Sequence, residues 1–251
     1  MGSAAKFLFP LFLGVATIAF AQQAAPGTGG QAKPAAASAN QRPPLFFRAE
    51  WKKRAPNPGE HSMTQADLVN PNLELGLYGN KAGIYDEQQE QPDDITFAFT
   101  GLCESTCALA LRDKNNYVDL TGLAKIRWRT KQNGFHLLRP IVELADGTWL
   151  VGDHTDGYSA DWRESEIDIA DVHWRQLDIN KVVEAPSNRA GKGNFRGLDF
   201  SGWVGNPDLS KVEAVGFTDL MPGSGHGGGG SSRVQWMEVY GNPVPRPAQS
   251  R

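Results

Sequence analysis

Lys125-Ile-Arg-Trp-Arg-Thr-Lys131 decides the fold class of this chain. Ile126, Trp128 and Thr130 fall on one side of a period-two repeat, and Lys125, Arg127, Arg129 and Lys131 on the other. An extended strand with one dry and one wet face produces that alternation. Just downstream, Leu137 to Leu144 and Trp149 to Val151 are apolar runs joined by Ala145-Asp-Gly-Thr148. Asp-Gly between such runs predicts a hairpin closed by a type I′ turn, with positive φ at both central residues. Further out, Leu73-Glu-Leu-Gly-Leu-Tyr78 alternates before the turn residues Gly79 to Gly83. Ile95 to Thr100, Ala108 to Arg112, Trp162 to Ile169, Trp174 to Ile179, Val212 to Thr218 and Arg233 to Tyr240 add further strands. No long segment carries the helical apolar period. Successive short strands without helices between them predict an all-β chain, an antiparallel β-sandwich of the jelly-roll kind.

The composition agrees. Of 251 residues, 40% are apolar and 21% charged, enough apolar content for a core and too ordinary a charge fraction for wholesale disorder. A formal charge of −3 argues against a general nucleic-acid binder, which carries a basic excess. The 28 Gly and 16 Pro favour turns over long helices.

The N-terminus reads as an address. Met1 to Ala21 has a cationic Lys6, an apolar Phe7–Ile18 and a small-x-small Ala19-Phe20-Ala21, the pattern of a cleaved secretory signal peptide. Residues 22–44 are Gln, Ala, Gly, Pro and Ser without apolar period, a flexible linker. Residues 45–251 then form one β-sandwich domain, with 45–72 as an N-terminal extension. The expected location is secreted or periplasmic, with no membrane span in the mature chain.

Export places Cys103 and Cys107 in an oxidising compartment, so a short-loop disulfide is expected, stapling the turn of a hairpin. A metal site would need more Cys or His at ligand spacing, and the five His are scattered singly. Calcium is the one cofactor candidate: Asp153 and Asp156 in Gly152-Asp-His-Thr-Asp-Gly-Tyr158 supply hard oxygens, although turn-forming Asp explains them equally. Otherwise no cofactor is expected.

Asp119-Leu-Thr-Gly-Leu-Ala-Lys-Ile-Arg-Trp-Arg-Thr-Lys131 resembles a strand of galactose-binding-like β-sandwiches. Trp162 to Leu177, and Asp208 to Phe217 with Val234 to Gly241, are similar to further segments of that fold. The nearest families in style are the complex I intermediate-associated proteins and bacterial carbohydrate-binding modules, over roughly Leu73 to Gly241. The resemblance implies a fold that binds sugars on loops or on one sheet face, and fold analogy alone does not establish function.

Glu166-Ile-Asp-Ile-Ala-Asp171 resembles the carboxylate strand of glycoside hydrolase family 16. A retaining glycosidase needs two carboxyls about 5 Å apart, and residues at i and i+2 of a strand share a face. That carry-over makes Glu166 the nucleophile, with Asp168 or Asp171 as its partner, in a hydrolase or lyase acting on a polysaccharide. The plainer reading leaves Glu164, Glu166 and Asp168 on a solvated face, paired across strands with Arg127, Arg129 and Lys131. Planar Arg forks beside carboxylates also suit vicinal hydroxyls. Trp128, Trp174 and Trp236 fall among inward residues, whereas Trp149, Trp162 and Trp203 lie near turns where an indole can stack on a pyranose. The sequence therefore favours carbohydrate binding without catalysis, through Arg127, Arg129, Trp149, Trp162 and Glu166. A glycoside hydrolase and an envelope scaffold with a protein partner are the alternatives. The glycine-rich stretch 222–232 reads as a mobile connection or a lid over a site.

Overall fold

The computed structural model describes residues 42–53, 62–89, 94–184, 202–220 and 230–247. The expected signal peptide and most of the linker lie outside them. Two antiparallel sheets pack face to face.

The strands are β1 (Leu45–Glu50), β2 (Leu73–Gly79), β3 (Tyr85–Gln89), β4 (Ile95–Phe99), β5 (Cys107–Asp113) and β6 (Asn116–Asp119). They continue as β7 (Lys125–Gly134), β8 (Leu138–Leu144), β9 (Trp149–Gly152), β10 (Arg163–Asp168) and β11 (Trp174–Asp178). The last are β12 (Val183–Glu184), β13 (Trp203–Val204), β14 (Val212–Asp219), β15 (Gly230–Tyr240) and β16 (Asn242–Pro245). The first sheet runs β10-β7-β15-β4-β3, with β1 on the later half of β15. The second runs β12-β11-β9-β8-β14-β5-β2, with β13 on β11 and the β6–β16 pair beside β14. Because β4, β7, β10 and β15 belong to one sheet and β5, β8, β11 and β14 to the other, the chain repeatedly crosses between layers, as a jelly roll does.

The core fills the space between the sheets. Ile126 and Trp128 from β7, with Met237 and Val239 from β15, meet Leu109 and Leu111 of β5 and Phe217 of β14, all fully buried. The central strands of the second sheet are buried on both faces. Leu150 points into the interlayer core, whereas Trp149 and Val151 join Ala108, Ala110, Ile141 and Leu177 in a second cluster on the outer face. A strand buried on both sides needs no polar alternation, which is why 149–151 reads as an unbroken apolar run.

Several local expectations change. The β8–β9 hairpin forms, but only Gly147 of its turn has positive φ, at 84°, and Asp146 does not. The Gly147 amide donates to Leu144, and Leu144 to Thr148, so the loop is a type I turn relieved by a left-handed glycine. The extension 45–72 contributes β1, which pairs Arg48 with Glu238 and Glu50 with Trp236. Cys103 and Cys107 are disulfide-bonded, but not across a hairpin. β4 pairs with β3 and β15, and β5 with β2 and β14, so the bridge ties the crossover between the sheets. Local alternation could not reveal that the two strands belong to different layers.

Candidate functional site

The cationic and acidic stripes meet, but with Lys125 and not Lys131 as the third cation. In the β7–β10 register Glu164 opposes Arg129, Glu166 opposes Arg127 and Asp168 opposes Lys125. Lys125 Nζ reaches Glu166 Oε2 at 2.8 Å, and Arg127 Nη2 reaches Glu164 Oε2 at 3.2 Å. Arg127 also bridges to Glu238 at 3.4 Å. Arg129 donates to Gln235 at 2.8 Å and lies 5.9 Å from the centre of the Trp162 ring, which in turn packs on Phe97. The guanidiniums are thus occupied by the carboxylates and rings beside them.

Glu166 sits on an open edge strand among these cations, not opposite a second carboxyl across a cleft. Asp171 lies beyond the strand, in the turn Ile169–Asp171, and among the described residues no hydrogen bond or ion pair links it to Glu166 or Asp168. The chain bends after Asp168, which removes Asp171 from the alternation that a shared strand face requires.

Trp149 is the largest departure from the expected contact set. It belongs to β9 in the second sheet, is 7% exposed, and lies on the opposite side of the sandwich from Arg127, Arg129, Trp162 and Glu166. Those five residues therefore do not share one groove. Trp128 and Trp174 are in the interlayer core; Trp236 is buried too, at 6% exposed, but not in that cluster. A register shift between Val234 and Trp236 turns its indole to the outer face, where the Arg48 guanidinium covers it at 4.4 Å and that of Arg127 stands at 5.9 Å. Trp203 is 38% exposed beside Arg175 and His173.

The calcium candidates diverge. Asp156, 4% exposed, accepts from Thr130 at 2.6 Å and from Ser165 at 3.2 Å, and pairs with Arg163. Asp153 instead meets His173 at 3.0 Å and His154 at 3.1 Å. Burial opposes its charge, yet these hydrogen bonds hold the carboxyl below the usual range. The two carboxylates thus serve different neighbours. Residues 222–229 of the glycine-rich stretch lie outside the described residues, and Gly230 to Ser232 open β15 instead.

The concave surface that the sequence reading missed is on the second sheet. A groove of about 330 Å³ crosses β2, β5, β14 and β8. Its floor is Gly76, Ala110 and Ala214, and its walls are Tyr78, Glu74, Arg112 and Glu143. The floor is low because those three positions carry a methyl group or nothing. A Cβ at residue 76 would stand 2.7 Å from the Tyr78 Oη and 2.9 Å from its Cε2, so the ring lies over the glycine. Trp149 supports that ring edge-on, with centroids 4.9 Å apart. Arg112 pairs with Glu74, its cross-strand neighbour, and with Glu213 at 3.0 Å. Burial, and then Glu143, push the Tyr78 hydroxyl up, keeping it protonated. Burial and the neighbouring Glu213 likewise raise Glu143. A glycine inside a strand marks a close approach, and Gly76 two residues before Tyr78 was the available signal.

An antiparallel jelly-roll β-sandwich with a shallow groove walled by a tyrosine ring is the class that fold and site define. No family model matches the sequence, the complex I intermediate-associated family included, and no curated protein matches it. Among solved structures, the family 11 carbohydrate-binding module of the cellulosomal cellulase Lic26A-Cel5E of Clostridium thermocellum has a TM-score of 0.43 and 16% identity, covering 73% of this chain and 95% of that one. The Clostridium thermocellum family 11 module in complex with a β-1,3-1,4-mixed-linked tetrasaccharide gives 0.42 and 14% identity, over 75% and 98%. An exo-β-agarase gives 0.38 and 13%, over 76% of this chain and 25% of that one.

Proposed function

We propose that this chain is an exported β-sandwich that binds a neutral saccharide in the groove across β2, β5, β14 and β8. One observation carries the reading: the Tyr78 ring, laid over Gly76 and propped by Trp149, borders a floor whose other residues, Ala110 and Ala214, carry only methyl groups. An aromatic face takes the C–H face of a pyranose, while Arg112 with Glu74, and Glu143, present charged donors and acceptors to its hydroxyls. The small floor residues leave room for a ring to lie down. The groove is open and largely pre-formed, as small-molecule sites usually are.

Export is supported by the Met1–Ala21 pattern and by the Cys103–Cys107 bridge, since such bonds persist in oxidising compartments. Protein recovered from an extracytoplasmic fraction should begin at Gln22, and retention of Met1 there would count against cleavage. Among the described residues no helix is long and apolar enough to cross a membrane.

The binding test uses the intrinsic reporter, because Trp149 touches the proposed platform. Titration with a panel of neutral oligosaccharides, including a β-1,3-1,4-mixed-linked tetrasaccharide, should change tryptophan fluorescence saturably. Tyr78→Ala should abolish the change while the variant stays folded by circular dichroism. Flat titrations across the panel, or wild-type affinity in Tyr78→Ala, would overturn the proposal.

A further inference from the structure

The strongest unassigned feature lies on the other sheet. Where β7 runs beside β15, Lys131 stands directly opposite Arg233. Like charges placed face to face in an antiparallel pair repel, and a sheet normally avoids the arrangement. Neighbouring cations on this face are compensated: Lys125 by Glu166, Arg127 by Glu164 and Glu238, Arg48 by Glu50 and Glu238. Lys131 and Arg233 are not, for among the described residues neither has a carboxylate within ion-pair distance. Glu87 on β3 acts on Arg233 only through space.

Arg233 is also held in place without an acid. Its guanidinium lies 5.2 Å from the centre of the Phe99 ring and 5.9 Å from that of Phe97, a two-ring seat that holds the cation. Lys131 and Arg233 line a cavity of about 360 Å³ with Asn133, Tyr158 and Ser159. The Tyr158 ring at the rim is 65% exposed. The cavity has room for more than a bare anion.

We propose that this cavity is a second site, for the oxyanion of an acidic saccharide: its carboxylate or sulfate settles between Lys131 and Arg233, and its ring lies against Tyr158. The anion would cancel the cross-strand repulsion, and the amide of Asn133, on the same face of β7 as Lys131, would serve a neighbouring hydroxyl. The site is on the sheet opposite the Tyr78 groove and does not depend on it.

Calorimetric titration of the full mature chain separates the possibilities. The probes are a galacturonate trisaccharide, a sulfated oligosaccharide, inorganic sulfate alone and a neutral tetrasaccharide. At least one acidic oligosaccharide should bind more tightly than inorganic sulfate, and whichever it is identifies the oxyanion. Binding should weaken as salt is raised, because the contact is charged and partly exposed. Lys131→Gln should weaken it by about tenfold, the usual worth of a charge-assisted hydrogen bond, and Arg233→Gln by at least as much. Tyr78→Ala should leave acidic binding unchanged. Lys131 is a surface residue, so its variant remains informative should Arg233→Gln misfold. No binding to either acidic oligosaccharide, inorganic sulfate matching both, or unchanged affinity in Lys131→Gln would overturn the proposal. Failure of the neutral probe alone would bear only on the Tyr78 groove.

Discussion

Gly76→Ala separates the groove from the fold. The added Cβ would meet Tyr78 Oη at 2.7 Å, Cε2 at 2.9 Å and Cζ at 3.0 Å. Comfortable carbon contacts are about 3.5–4.0 Å, so the phenol must move by roughly 1 Å. What yields is the far end of a side chain, not backbone, and the strand should stay in register. Two stability effects then oppose each other. Replacing a strand glycine by alanine contributes about 0.5–1 kcal/mol by restricting the unfolded chain. Losing the edge contact between Tyr78 and Trp149 costs about 0.5–1.5 kcal/mol. The net change should lie within about 1 kcal/mol, a shift of no more than roughly 4 °C in melting temperature for a domain of this size. Saccharide affinity has no such offset. A displaced platform should weaken binding of a mixed-linked tetrasaccharide by about 1–1.5 kcal/mol, or roughly five- to tenfold. Calorimetric titration beside thermal unfolding measures both. Tyr78→Phe, which keeps the ring, should retain most of the affinity. Wild-type binding by Gly76→Ala would refute the platform. A collapse of the melting temperature would show that backbone, not the ring, had absorbed the methyl group.

Two further predictions concern stability. Cys103 and Cys107 are four residues apart in sequence, and closing so short a loop removes about 2 kcal/mol of chain entropy from the unfolded state. Cys103→Ala/Cys107→Ala should therefore melt roughly 4–8 °C lower, and an unchanged melting temperature would exclude the bridge as a stabiliser of the inter-sheet crossover. Glu143 has its folded pKa raised by burial and then by Glu213. A carboxyl raised in the folded state adds stability below its unfolded pKa and loses it as pH rises through the folded value. Glu143→Gln should thus stabilise the protein at neutral pH by denaturant titration, with the advantage vanishing below the ordinary glutamate range. An advantage that persists in acid would exclude titration of Glu143 as its source.

Much of the architecture is legible in the chain. Ile126, Trp128 and Thr130 are all fully buried, and the cations between them lie on the outer face, because a half-buried strand turns over every residue. The opposition of Glu164 and Glu166 to Arg129 and Arg127 followed from the same period once the two strands were taken as neighbours, but the third cation is Lys125 and not the expected Lys131, because a period of two leaves the register open. Trp236 shows the limit. One inserted residue at the register shift in β15 reverses the side on which every later residue falls, and alternation cannot announce it.

The sequence by itself determined the all-β class, most of the longer strands and the dry and wet faces of β7, since these depend on periodicities of a few residues. Tertiary structure alone decided which strands share a layer. It put Cys103 and Cys107 at a crossover, sent Trp149 to the face opposite Arg127, and aligned Gly76, Ala110 and Ala214 into one floor. It also set Lys131 against Arg233. Those partners are separated along the chain, and their meeting depends on the packing and pairing of whole sheets, which no local pattern encodes.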